Sequence, residues 1–372
     1  MEINSEPIVE QFIELARIDG VSFKERQIAD RIMSKVKSWN YECIEDSAAQ
    51  SIGGNTGNLI IRIPGKNTSA PPLLLAAHLD TVASTSGLEP VIRDGIISSD
   101  GSTILGADNR AGIALILYTL ELLTKKQFDH RPLEIVFTVA EEKGMYGARA
   151  LDFGALRAKE GYILDCSRRP GAYVATTPTA LDFNIAFLGR ASHAAVSPEK
   201  GINALSIAMQ ALCDFPVGRI DGDTVANIGS IKGGHATNVV PDRIEVSGEI
   251  RSFDQTRLNE LRQLLCEKTH HVAEKMGGKI EIDFKNGFTG FKLLPQDPVV
   301  QRLEKALRKL GYTPEPLVYY GGSDANVFNN KHLTAVNIGI GASNPHSHQE
   351  FIHIKDLVDG AKLVLDLVRK DA

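Results

Sequence analysis

Leu73-Leu74-Leu75-Ala76-Ala77-His78-Leu79-Asp80 sets five apolar residues in a row ahead of a histidine and an aspartate. A run without polar alternation is the pattern of a strand buried on both faces, as in a parallel sheet covered by helices. Ile135-Val136-Phe137-Thr138-Val139 and Tyr162-Ile163-Leu164 read the same way. Between the first two runs lies an apolar segment of helical length over 109–123, which completes a β-α-β unit. Upstream, Ile8, Phe12 and Leu15, then Ile28, Ile32 and Val36, recur at helical spacing and predict two amphipathic helices over 7–18 and 23–39. The expected fold is α/β, a doubly wound and mostly parallel sheet.

Beyond about Thr177 the pattern changes. Arg243-Ile244-Glu245-Val246-Ser247-Gly248-Glu249-Ile250-Arg251 and Lys279-Ile280-Glu281-Ile282-Asp283-Phe284-Lys285 alternate apolar with charged residues, as half-exposed antiparallel strands do. With helical patterns over 202–212 and 255–276, this stretch predicts a small α+β domain. The α/β style then returns, with helices over 299–310 and 357–368 and an apolar run Ala335-Val336-Asn337-Ile338. The expectation is therefore one α/β domain, 1–177 plus 292–372, with a second domain, 178–291, inserted into it.

A chain of 372 residues has room for two or three domains, and 43% hydrophobic with 23% charged residues is the balance of a folded globular protein. A formal net charge of −5 offers no positive field to gather phosphates, so neither nucleic acid nor an anionic membrane surface is an expected partner. The longest apolar stretch, 112–123, is broken by Tyr118, Thr119 and Glu121, and is too short to span a bilayer. Four scattered cysteines, Cys43, Cys166, Cys213 and Cys266, form no paired spacing. With no basic-then-apolar leader at the N-terminus, the expected location is the cytoplasm.

Each buried run leads into a side chain suited to a metal: His78 and Asp80 after the first, Glu141 and Glu142 after the second, Asp165 after the third. Open α/β sheets bind ligands beyond the carboxyl ends of their strands, so three such endings can converge. His78 and Asp80 share one side of an extended segment, where a carboxylate can accept the second imidazole N–H of a metal-bound histidine. Asp108 stands at a helix entrance, as either a donor or an N-cap. The polar loop Asn344-Pro345-His346-Ser347-His348-Gln349-Glu350 supplies two imidazoles, either of which can serve. His78, Asp108, Glu142, Asp165 and His346 make two nitrogens and three carboxylates, a set suited to zinc, manganese or cobalt. Five ligands exceed the needs of one catalytic zinc; with one carboxylate bridging they serve two ions. The residues alone leave open which of Glu141 and Glu142 ligates.

His78-Leu79-Asp80-Thr81-Val82, Gly106-Ala107-Asp108-Asn109-Arg110-Ala111-Gly112, Ala140-Glu141-Glu142 with Gly144 and Gly147, and His346 four residues before Glu350 resemble, in order, the motifs of the co-catalytic zinc peptidases, the M20 superfamily. That superfamily includes carboxypeptidase G2, the dimeric aminoacylases and peptidase T, and the chain looks most like the peptidase T group of tripeptide aminopeptidases. The resemblance implies one zinc on His78, Asp108 and Asp165 and another on Asp108, Glu142 and His346, with Asp108 bridging. It also implies that Asp80 orients His78, that Glu141 is the general base toward a water between the ions, and that a cis peptide falls at Asp108-Asn109. Gly189-Arg190-Ala191-Ser192-His193 resembles the start of the family's lid and dimerisation domain, which implies a homodimer through the inserted domain and an oxyanion-stabilising role for His193. Asn238 and Arg251 match positions that bind substrate polar groups, and a guanidinium there suits a peptide carboxylate. Gly321-Gly322-Ser323-Asp324-Ala325 resembles the family's glycine-rich loop.

The function so implied is metal-dependent release of the N-terminal residue from tripeptides. An N-acyl amino acid deacylase or carboxypeptidase would use the same site on a different substrate, and a metal-binding module without turnover would lack a ligand or the base.

Overall fold

The computed structural model describes residues 3–369. The chain forms two compact units, Met1–Thr176 with Lys292–Ala372, and Thr177–Phe291. In the first, the large sheet runs in the order Glu42–Glu45, Leu59–Ile63, Leu133–Thr138, Leu73–His78, Glu160–Cys166, Thr334–Gly339, Ala172–Thr177. Leu73–His78 is parallel to both its neighbours, and Thr334–Gly339 is parallel to Glu160–Cys166. Toward the margins most pairs are antiparallel, but Glu315–Val318 pairs parallel with Ala172–Thr177.

Every residue of Leu73–His78 and of Leu133–Thr138 is buried, the physical reason for the unbroken apolar runs. Helix Ala107–Lys126 packs on Leu73–His78 and Glu160–Cys166, with Ser5–Ala16 and Ile354–Val368 packed against it in turn. The strand order places the carboxyl ends of Leu133–Thr138, Leu73–His78 and Glu160–Cys166 side by side, where a site can assemble.

The second unit is an antiparallel sheet in the order Gly218–Arg219, Thr224–Gly233, Arg243–Ser252, Thr179–Leu188, Lys279–Phe288. Phe183, Ile185 and Phe187 from one strand and Ile244, Val246 and Ile250 from the next form its core with Ile207, Leu258 and Leu261 of helices Ala204–Leu212 and Gln255–Lys275. The opposite face carries the alternating charges.

Local details differ from the sequence pattern. The second helix starts at Arg26 rather than Phe23, whose φ of 71° is left-handed. The second buried strand ends at Thr138, and Ala140 turns the chain with φ 50°. The glycine-rich segment leads into a helix, Asp324–Asn330, whose three asparagines are weak helix formers. A reciprocal capping box between Ser323 and Asn326 sustains it.

Candidate active site

His78 closes the central strand, and Asp165 stands one residue before the end of Glu160–Cys166. Glu141 and Glu142 lie in the turn after Leu133–Thr138, not in the strand, so turn geometry rather than strand alternation directs their side chains. Both of their backbone N–H groups donate to the Asp80 carboxylate, at 3.0 and 3.1 Å. Asp80, fully buried, also accepts the Ser22 hydroxyl at 2.7 Å. Glu25, equally buried, accepts the Ala140 N–H at 3.0 Å and the Phe23 N–H at 2.9 Å. Two inner carboxylates thus hold the turn that presents Glu141 and Glu142.

His78 Nδ1 donates to the Asp80 backbone carbonyl at 3.0 Å, with the Asp80 carboxylate at 3.3 Å. That commitment fixes the tautomer and turns Nε2 toward Asp108 Oδ1 at 3.0 Å and Asp165 Oδ1 at 3.2 Å. Asp108 is not the helix cap. Its ψ of 103° and the φ of −121° at Asn109 lie outside the helical region, and the Asp108-Asn109 peptide is cis. Asn109 performs the capping instead, its Oδ1 accepting the Gly112 N–H at 3.1 Å.

Asp108 is therefore free to use both oxygens, and its Oδ2 lies 3.5 Å from His346 Nε2. His346 Nε2 is also 3.0 Å from Glu142 Oε1. His348 points elsewhere, its Nδ1 donating to the Gly101 carbonyl at 2.9 Å. Of the two histidines in this loop, His346 joins the cluster. Glu350, almost fully buried, accepts the Gly106 N–H at 2.7 Å and the Asp108 N–H at 2.9 Å, tying the His346 loop to the Asp108 loop. Glu350 carries no local sequence signal for its role, and Asn109 shares its capping chemistry with the adjacent Asp108.

The electrostatics follow from crowding acids at one point. Burial and the neighbouring Asp165 raise Glu141 well above the usual glutamate range. Burial pushes Asp165 up to about 7 and Asp324 up to about 6. Burial would raise Asp108 too, but hydrogen bonds from His346 and His78 hold it well below the usual range. The Asp108 and Glu142 carboxylates lift His346 to about 10. Burial opposes charge on His78, and Asp165, Asp108 and Asp80 outweigh it and raise its pKa well above the ordinary value.

Three observations fit divalent cations at this cluster. Donor atoms of His78, Asp108 and Glu142 all lie within 4.8 Å of one another. Two donors sharing one cation at about 2.0–2.2 Å each end up about 3–3.5 Å apart, the spacing of the His78–Asp108, His78–Asp165 and His346–Glu142 contacts. Finally, Glu142 Oε1 is buried, and although His346 Nε2 lies 3.0 Å away, the two lack hydrogen-bond geometry.

The inserted unit holds the remaining candidates. His193 is exposed, and its Nδ1 accepts the Ala195 and Val196 N–H groups, each at 3.2 Å, which leaves the proton on Nε2. Asn238, also exposed, accepts the Ala194 N–H through its backbone carbonyl at 2.9 Å, so His193 and Asn238 are neighbours. Arg251 pairs with Glu249 at 2.9 Å and stacks over Phe288 at 5.4 Å.

The sequence profile of peptidase family M20/M25/M40 matches residues 74–370. The chain belongs to this family. A crystal structure of aminopeptidase PepT from Bacillus cereus superposes with a TM-score of 0.92 at 36% identity, covering 99% of each chain. A tripeptidase from Staphylococcus aureus superposes with a TM-score of 0.94 at 32% identity, covering 99% of this chain and 98% of the other. The uncharacterized protein YqjE of Bacillus subtilis is 34% identical over the full length of both chains. These similarities span both compact units, so the inserted antiparallel domain of this M20 peptidase is shared with those proteins. Among the described residues, no helix is long and apolar enough to cross a membrane.

Proposed function

We propose that the chain is a metal-dependent aminopeptidase that releases the N-terminal residue of tripeptides, a reading supported by its similarity to a protein named aminopeptidase PepT and to one named a tripeptidase. The observation that carries this reading is Asp108, whose two oxygens face different histidines. His78, Asp108 and Asp165 would hold one cation, and Asp108, Glu142 and His346 the second. Zinc best matches these nitrogen and carboxylate donors, with cobalt or manganese as substitutes. When bound, the cations polarise the amide carbonyl and lower the pKa of water.

The rest falls to the side chains. Glu141, presented by the Asp80-held turn, takes the proton of the attacking water and delivers it to the leaving amine. Asp80 orients His78 and both glutamates at once. His193 donates its Nε2–H to the oxyanion that develops on the carbonyl oxygen. Asn238 binds peptide polar groups, and Arg251 exchanges Glu249 for the peptide carboxylate, to which a guanidinium can bond bidentately. Ala-Ala-Ala against N-acetyl-Ala-Ala-Ala tests the substrate class: blocking the amine is expected to lower kcat/KM at least about 100-fold. Equal or faster cleavage of the blocked peptide would make the enzyme a deacylase or carboxypeptidase. A series of di-, tri- and tetrapeptides then checks the preference for length.

The same reading makes the enzyme a homodimer through the inserted domain, with His193 serving the partner's site. Met209 and Ile231 in that domain, 66% and 61% exposed, offer apolar surface that a partner subunit could cover. Met209→Asp is expected to yield monomers by light scattering and to lower kcat about 10²–10³-fold, like His193→Ala, with metal content retained. Monomers of full activity would remove the cross-subunit role. Four free cysteines suit the reducing cytoplasm, where we place the enzyme.

A further inference from the structure

We propose that Asn109 is a positioning residue for the Asp165 carboxylate, and that its neutral amide lets the Asp165 end of the cluster hold a cation tightly. This rests on the two-cation reading above. Asn109 is fully buried between two fixed partners: its Oδ1 accepts the Gly112 N–H at 3.1 Å, and its Nδ2 donates to Asp165 Oδ1 at 3.0 Å. A backbone N–H can only donate, so the amide has one orientation, oxygen toward the helix and nitrogen toward Asp165. The packing has no slack. A Cβ on Gly112 would fall 2.2 Å from Asn109 Oδ1 and 2.3 Å from the Leu164 carbonyl, so the helix start, the amide and the Asp165 strand lie in close contact.

The consequence is local to one end of the cluster. Asp165 Oδ1 is shared between the Asn109 amide and His78 Nε2, the latter at 3.2 Å. The amide N–H holds this oxygen in register without adding charge. An aspartate at position 109 could still cap the helix through one oxygen, but its other oxygen would meet Asp165 as a like charge at about 3 Å. Asp108, by contrast, is steadied from the far side by Glu350 through the Gly106 and Asp108 N–H groups. Loss of the Asn109 donor therefore reaches Asp165 and leaves the Glu142–His346 end untouched.

Asn109→Asp and Asn109→Ser separate this role from capping, since aspartate and serine both cap helices and neither can donate an amide N–H to Asp165. Wild type and both variants are titrated with Co2+ alone, following the visible Co2+ absorption and the affinity of each equivalent by chelator competition, and the metal-free proteins are melted. One equivalent should weaken by about 10–100-fold in both variants, more in Asn109→Asp, with a changed Co2+ spectrum. The other equivalent should stay at its wild-type affinity, and metal-free Asn109→Ser should still melt in one cooperative transition, so that the weakening is not a loss of fold. Wild-type affinity for both equivalents in Asn109→Ser, or equal weakening of both, overturns the inference. A wild-type protein that takes up no Co2+ would instead overturn the two-cation reading itself.

Discussion

Glu141→Ala is expected to abolish measurable peptide hydrolysis, lowering kcat by about 10²–10⁴-fold, while both equivalents of metal remain bound. Glu141 is proposed as the base because the donor contacts run Asp165, His78, Asp108, His346, Glu142 and bypass it. Its backbone N–H is nevertheless anchored by Asp80, so its carboxylate is delivered to the cluster without belonging to it. A stability signature accompanies the loss. Glu141 is raised above its ordinary value by burial and by Asp165, so in the metal-free protein its ionised form opposes folding. The stability it permits is full below the ordinary value of 4.5 and is lost as pH rises through its raised folded value. Glu141→Ala should remove that loss, so the melting temperature of chelator-treated variant should fall less with rising pH than that of chelator-treated wild type. Substantial hydrolysis by the variant would exclude Glu141 as the base.

Asp108→Ala is expected to lose both cations, and activity with them, beyond rescue by added zinc. Its two oxygens are the link between the His78 and His346 halves, so its removal deprives each half of one donor and leaves each with two. Chelator-treated wild type, by contrast, should regain activity when zinc is restored, because all donors remain. His348→Ala makes the control from the same region: its ring faces the Gly101 carbonyl, so metal content should be unchanged. Metal analysis after dialysis reads all three proteins, and retention of two equivalents by Asp108→Ala would refute the bridging assignment.

Much of this site was legible along the chain because the signals are local. Leu73–His78 and Leu133–Thr138 announce themselves as buried strands, since burial on both faces favours runs of apolar residues over alternation, with Glu134 the buried charged exception in the second. The metal-suited residue types that follow them could be read directly from their positions at the strand ends. The alternation in Arg243–Ser252 likewise reports one covered and one exposed face. Capping was ambiguous for a physical reason: aspartate and asparagine both cap helices, and adjacent Asp108 and Asn109 differ in that role only through the backbone path between them. The choice between His346 and His348 was open likewise, two residues apart in one polar loop.

What the sequence by itself determined, then, is the buried central strands, the main amphipathic helices, the switch of style at both ends of the insertion, and the chemical kinds of donor available; helix Asp324–Asn330 and strands such as Thr179–Leu188 were not among its readings. Periodicity and side-chain chemistry act within a few residues and survive without the fold. Only the tertiary structure decided which donors meet. Glu350 reaches the Asp108 N–H across 242 residues of chain, Ser22 reaches Asp80 across 58, and Asn109 reaches Asp165 across 56. Such contacts depend on strand order, register and close packing, which are properties of the whole assembled core and are written in no single segment.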